Sequence, residues 1–178
     1  ISHYFDSNDR FDVIINCAAY TAVDKAEEEQ ELANQVNHLA VKQLAKIANN
    51  QQARLIHIST DYVFDGESNK PYLETDTPNP INAYSRTKLA GEKALQTAMP
   101  MNALIIRASW LYSEYDNNFV STMLKLGKER DELSVVNDQM GSPTYAADLA
   151  DAILEIIRHN KFRDVAQTTQ IYNYSNEG

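Results

Sequence analysis

A doubly wound α/β fold with a mostly parallel sheet is predicted by three features of this chain. Short β-branched runs recur along it, longer amphipathic stretches separate them, and polar or aromatic clusters sit where the runs end. The run DVIINC (12–17) reads as a strand covered on both faces. A long helical stretch follows, with Leu32, Val36, Leu39, Ala40, Leu44 and Ile47 on one apolar stripe. Its acidic front, Glu27, Glu28, Glu29 and Glu31, suits the positive end of a helix dipole. ARLIHIST (53–60) is a second buried strand.

Residues 65–82 carry Pro71, Pro78 and Pro80 and read as a functional loop. A helix over 84–98 and a strand over 103–107 come next. A helix over 118–129, a strand LSVV (133–136), a loop at Gly141-Ser142-Pro143 and a helix over 146–159 follow, with a last strand near 170–175. Strands alternating with helices imply right-handed crossovers, and ligands of such sheets bind outside the carboxyl ends of the strands.

The bulk composition narrows the function. With 178 residues, 43% of them hydrophobic, the chain is long enough to bury a core. Sixteen Lys and Arg stand against 25 Asp and Glu, a net charge of −9 with no basic run, which argues against nucleic acid and anionic membrane as partners. No stretch reaches the roughly 18 apolar residues that span a bilayer. The single cysteine, Cys17, has no internal partner for a disulfide, and a reducing, cytoplasmic setting is expected.

Three strand ends converge on one edge of the predicted sheet: CAAYT (17–21), STDYVF (59–64) and RASWLY (107–112). Beyond the proline-rich loop, Tyr84 and Lys88 stand four residues apart and so share a helical face. A lysine ammonium near a phenol favours the phenolate and is expected to bring its pKa down from about 10 towards working pH. That would suit a general acid delivering a proton to a developing alkoxide. Thr60 offers a hydroxyl at a strand end for the same oxygen. Spacing alone is weak evidence, since ten tyrosines and nine lysines produce such a pair by chance in about every second chain of this length. An exposed Tyr/Lys pair on a solvated face would look the same.

Other residues have plain structural readings. Trp110 either packs in the core or covers a sugar ring. Asp61 either caps a turn or accepts hydrogen bonds from sugar hydroxyls. Tyr62 and Phe64 pack, His57 is a satisfied core histidine, and Cys17 packs as a small apolar group. Arg107, ending a buried strand, reads as a structural ion-pair partner. Glu74 and Asp76 lack the further ligands a metal site needs.

NCAAYTAVDKAE (16–27), STDYVFDG (59–66), YSRTKLAGE (84–92), RASWLY (107–112) and NDQMGSPT (137–144) occur together and in order. This set resembles the extended short-chain dehydrogenase/reductases. Within them it is most similar to the branch that reduces the 4-keto group of dTDP-6-deoxy sugars. The resemblance implies a Rossmann-like sheet and NADPH- or NADH-dependent reduction of dTDP-4-dehydro-6-deoxy-L-mannose to dTDP-L-rhamnose, a precursor of cell-envelope polysaccharide. It casts Tyr84 as proton donor, Lys88 as its tuner and holder of the nicotinamide ribose, and Thr60 as the hydroxyl that positions the carbonyl. Ala19, Tyr20 and Thr21, with Tyr84 and Lys88, would contact the cofactor; Thr60, Asp61 and Trp110 would contact the sugar nucleotide. It implies a homodimer and no metal among these residues, a Mg²⁺ requirement not being evident.

Members of the family begin with a strand and a glycine-rich loop that grips the pyrophosphate, and no such loop occurs here. The chain is therefore expected to be a central fragment lacking the N-terminal βαβ start, with roughly 45 residues ahead of Ile1 by motif spacing. Residues 1–138 would form a partial dinucleotide-binding domain. Residues 139–178 would begin a small C-terminal substrate-binding region interleaved with it. A dehydratase or epimerase of the same superfamily needs extra acid/base groups beside the catalytic hydroxyl, and Asp61 stands there. A non-catalytic dinucleotide-binding subunit, like the regulatory subunit of methionine adenosyltransferase, is the alternative from another class.

Overall fold

The computed structural model describes every residue except 7–9, 116–117, 138, 160, 163–166 and 178. The strands are β1 (Val13–Asn16), β2 (Arg54–Thr60), β3 (Ala103–Ala108), β4 (Leu111–Tyr112), β5 (Thr144–Tyr145) and β6 (Gln170–Tyr174). Four of them lie side by side in the order β1-β2-β3-β6, every pair parallel, while β4 and β5 form a separate parallel pair. The α/β class expected from the sequence is the one observed.

The helices are α1 (Ser2–Asp6), α2 (Gln30–Asn34), α3 (Ala40–Gln51), α4 (Ala83–Ala98), α5 (Phe119–Glu129) and α6 (Ala146–Arg158). Alternation along the inner strands explains why helices cover both faces of the sheet. Leu55 and Ile105 point to one side, into a core with Val41 and Ala45 of α3 and Leu95 of α4. Ile56, Leu104 and Ile106 point to the other, where Leu149 and Ile153 of α6 meet them.

Three expectations change. LSVV (133–136) carries β propensity but pairs with nothing; it is irregular, with Val135 49% and Val136 69% exposed. Propensity without a partner strand makes no strand. The helical stripe is also rotated from the expected one. Leu32 and Leu39 are nearly half exposed, and the fully buried line is Ala33, Asn37, Val41, Ala45 and Ala48. A π-helical turn at Gln35–Leu39 joins α2 to α3 and resets which residues face inward. Cys17, placed inside the first strand, lies just past its end and is exposed. Of the motif at 137–144, Asp138 lies outside the described residues.

Small residues are selected on this line because α4 comes very close. A Cβ at Gly91 would lie 2.1 Å from the backbone oxygen of Asn37. The Asn37 side chain accepts from the Tyr20 amide (2.8 Å) and donates to the Tyr20 carbonyl (3.1 Å) and to Thr87 Oγ1 (3.2 Å). One buried amide thus ties the segment after β1 to α4.

Gly91→Ala is expected to destabilise the full-length protein by about 1–3 kcal/mol or more, because the contact is with backbone and has no side-chain freedom to yield. Urea denaturation measures this. Asn37→Ala, which leaves both polar groups of the Tyr20 backbone without their protein partner, should cost about 1–3 kcal/mol. It should also speed hydrogen exchange at the Tyr20 amide.

Candidate active site

Because the main sheet is parallel, β1, β2 and β3 end at one edge, delivering Cys17, Thr60 and Ser109-Trp110 to the same side of the fold. Helix α4 starts at that edge. Its N-terminus is fixed by a reciprocal capping box, Asn82 Oδ1 accepting from the Ser85 amide and Ser85 Oγ from the Asn82 amide. Glu27 adds to this by accepting from the Ala83 amide at 2.6 Å. The acidic run expected to open the first helix therefore serves α4 with one of its members.

Tyr84 and Lys88 lie on the buried face of α4, 9% and 2% exposed. The Tyr84 ring packs edge-on against Tyr62, centroids 6.1 Å apart, with Ala26, Ala33 and Ala83 around it. Burial pushes its phenol up to about 12, while the neighbouring Thr60 hydroxyl pulls the other way. The acidified phenol expected from the Tyr/Lys pair is not what this structure contains. Lys88 Nζ donates instead to the Ile58 carbonyl at 2.7 Å. Burial brings its ammonium down to about 8, and the Glu92 carboxylate opposes that fall. Dehydration by the protein outweighs the attraction between the two groups.

Thr60 caps the one-turn helix Asp61–Val63, its Oγ1 accepting from the Tyr62 amide at 3.2 Å and donating to Asp61 Oδ1 at 3.2 Å. Asp61 is thus the capped rather than the capping residue. Burial lifts its carboxyl to about 6. Trp110 is not plain core. It is partly exposed, has a left-handed backbone (φ 44°), and lines a cleft of about 330 Å³ with Tyr62, Tyr112, Phe119, Val136 and Pro143. Gly141 closes on the indole so tightly that a Cβ there would lie 2.7 Å from it. Tyr62, shared between this cleft and the Tyr84 ring, makes the two neighbours.

Ala19, Tyr20 and Thr21 follow β1 at the same edge, Thr21 exposed and the others half-buried. The backbone of Tyr20 is held by Asn37, and its phenol donates to Glu29 Oε2 at 2.6 Å. Neighbouring residues keep structural roles. His57 is fully buried and accepts from Asn16 Nδ2 at 3.0 Å, but its Nε2 has no partner among the described residues. Burial lowers its pKa to about 3, so the ring stays neutral. Arg107 forms the expected buried ion pair, with Glu92 at 2.7 Å. Glu74 accepts from the Asn173 amide and Asp76 from the Leu73 amide. Among the described residues, no cluster of His, Cys, Asp and Glu could hold a metal ion, and no helix is long and apolar enough to cross a membrane.

Sequence reasoning missed Asn37, Ser59 and Glu92. The available signal was polarity in an apolar register: Asn37 sits between Ala33 and Val41 at helical spacing, and Glu92 lies between Lys88 and Leu95.

Residues 2–178 match the RmlD substrate binding domain family. The dTDP-4-dehydrorhamnose reductase of Salmonella typhimurium is 55% identical over 149 residues, covering 84% of this chain and 50% of that protein. That of Sinorhizobium fredii is 47% identical over 167 residues, 94% of this chain and 56% of the other. Among solved structures, the Bacillus anthracis dTDP-4-dehydrorhamnose reductase in complex with NADP superposes with a TM-score of 0.85 at 45% identity, covering 94% of this chain and 57% of that one. The Clostridium acetobutylicum enzyme superposes at 0.89 and 43%, covering 99% and 59%. The chain spans about half the length of the curated relatives it matches. Matched over nearly all of its residues, it belongs to the RmlD substrate binding domain family.

Proposed function

We propose that this chain carries the proton-donating centre of an NADPH-dependent reductase acting on the 4-keto group of a dTDP-6-deoxy sugar, converting dTDP-4-dehydrorhamnose to dTDP-L-rhamnose. The observation that carries this is a buried, neutral phenol, Tyr84, beside the Thr60 hydroxyl at the end of β2, with the Lys88 ammonium one helical turn further along the same buried face of α4. Relatives of 54–55% identity bear the name of that reaction. In this assignment residues 1–138 belong to a dinucleotide-binding unit, and residues 139–178 begin the substrate-binding region.

The residues present fit a nicotinamide ribose. An ammonium has three N–H donors, and Lys88 spends one on Ile58 O, leaving two for ribose hydroxyls. Tyr20, fastened by Asn37, keeps the neighbouring segment rigid against such a ligand. Bound there, the reduced nicotinamide supplies the hydride to the C4 carbon of the sugar.

As charge grows on the C4 oxygen, Thr60 and Tyr84 both face it, and the phenol proton passes to that oxygen. A phenol held near 12 is still a stronger acid than a sugar hydroxyl, so the transfer runs downhill. The Thr60 hydroxyl then stabilises the phenolate left behind, while Lys88 holds the ribose. Burial keeps the donor protonated until the alkoxide appears, and the adjoining aromatic cleft with Trp110 covers the sugar nucleotide.

The test is to supply the full-length protein with the 4-keto sugar nucleotide and NADPH or NADH and follow loss of the reduced nicotinamide. Tyr84→Phe should lower kcat by about 10²–10⁴-fold, and parent-like turnover would sink the proton-donor assignment. Binding of the dinucleotide with no turnover of the sugar would point instead to a regulatory role.

The pH dependence has a defined sign. Lys88 acts as an ammonium, a state present below its pKa of about 8 and lost as pH rises through it. Tyr84 stays protonated to about 12 and contributes no fall in that range. kcat/KM for the free protein should therefore decline above about pH 8 with a single basic limb. A profile flat to about pH 10 contradicts this role for Lys88.

A further inference from the structure

Beneath α4 lies a cluster of buried polar groups that takes no direct part in proton transfer. Ser59 Oγ donates to Glu92 Oε1 at 2.5 Å. Arg107 grips the same carboxylate, Nε donating to Oε1 at 3.1 Å and Nη2 to Oε2 at 2.7 Å. All three are sealed off: Glu92 is 1% exposed, Arg107 3% and Ser59 5%. Each stands beside a different part of the site. Ser59 precedes Thr60 at the end of β2, Glu92 follows Lys88 by one turn of α4, and Arg107 lies three residues before Trp110 near the end of β3.

We propose that Glu92 is a positioning residue for the reaction: by gripping Ser59 of β2 and Arg107 of β3 from α4, its carboxylate fixes Thr60, Lys88 and the end of β3 relative to one another. This rests on the assignment of Tyr84, Lys88 and Thr60 to the proton-donating centre.

Two physical points support the role. A buried ion pair rarely stabilises a fold better than apolar residues of the same volume, so stability alone gives little reason for one here. Its place on the same face of α4, one turn from a buried ammonium, gives a specific reason. The titratable groups around Lys88 are Tyr84 and Glu92, one turn to either side on its own helix, Cys17 after β1 and His57 on β2, with Arg107 on β3 facing Glu92. His57 stays neutral and burial pushes the Cys17 thiol up, so Glu92, the larger of the two opposing charges, supplies most of what offsets Lys88's burial. Removing that charge lets desolvation drive Lys88 towards the neutral amine.

The experiment compares the parent with Glu92→Gln in the full-length protein, using the 4-keto sugar nucleotide and NADPH. Glu92→Gln should lower kcat about 10–100-fold, the cost of misplacing catalytic groups by a fraction of an ångström to an ångström. Its basic limb in kcat/KM should move down by about one pH unit, a displacement that loss of stability alone would not produce. A folded Glu92→Gln with parental kcat and parental pH profile overturns the proposal.

Where circular dichroism shows that Glu92→Gln does not fold, Ser59→Ala decides. It keeps the ion pair and removes only the bond to β2, and a kcat at least about fivefold below parent is expected; a parental kcat overturns the proposal. Tyr84→Phe and Lys88→Met run alongside. If these leave turnover intact, the proton-donor assignment itself fails. If they abolish it while the Glu92 and Ser59 variants behave as the parent, only the positioning role fails.

Discussion

Burial of a phenol, a hydroxyl and an ammonium at the carboxyl end of one strand is the constraint on which this site depends. Away from water, each group takes its protonation state from the few neighbours it touches rather than from solvent. Tyr84 stays a neutral phenol because nothing beside it outweighs the cost of a dry phenolate. Lys88 stays close to its charged form because a carbonyl and a carboxylate stand near it. A Tyr-x-x-x-Lys pair read as a sequence suggests an acidified phenol; folded, it is a pair of buried groups pushed towards neutrality.

Holding that arrangement requires α4 to lie close to its neighbours, and small or polar residues make this feasible. Gly91 lets the helix press against the backbone of Asn37, and the π turn at Gln35–Leu39 turns Asn37 inward where it can serve Tyr20 and Thr87. The same helix is anchored at its start by Glu27 and by the Asn82/Ser85 box, and at its middle by the Glu92 cluster. The framework of the site is therefore polar, whereas the two cores on either side of the sheet are aliphatic.

Much of this was legible in the sequence. β2 and β3 are legible as apolar runs because central parallel strands are covered on both faces; β1 is legible too although, as an outer strand of the described sheet, it leaves Ile15 43% exposed, and the expected bounds of α4, α5 and α6 lie within a residue or two of those observed. Tyr84, Lys88 and Thr60 were legible because strand ends and helical spacing put chemistry where a crevice belongs. The stripe running from α2 through the π turn into α3 differs from the expected one because hydrophobicity marks Leu32 and Leu39, while close packing demands mostly alanine and one asparagine. LSVV looked like a strand because Val is β-branched, yet Val135 and Val136 line the Trp110 cleft instead. Two-residue strands such as β4 and β5 have no periodicity to read. Glu92 and Ser59 were passed over because a polar residue announces its role only once its burial is known.

Whether burial rather than the neighbouring ammonium governs Tyr84 is measurable in the full-length protein free of ligands. Tyrosine labelled with ¹³C at Cζ reports ionisation through a large chemical-shift change, and Tyr84→Phe identifies the resonance. Control by burial means no titration of Tyr84 up to about pH 10, the ordinary phenol value, and onset only towards about 12. A midpoint near neutrality would show that Lys88 acidifies the phenol after all, and would contradict it.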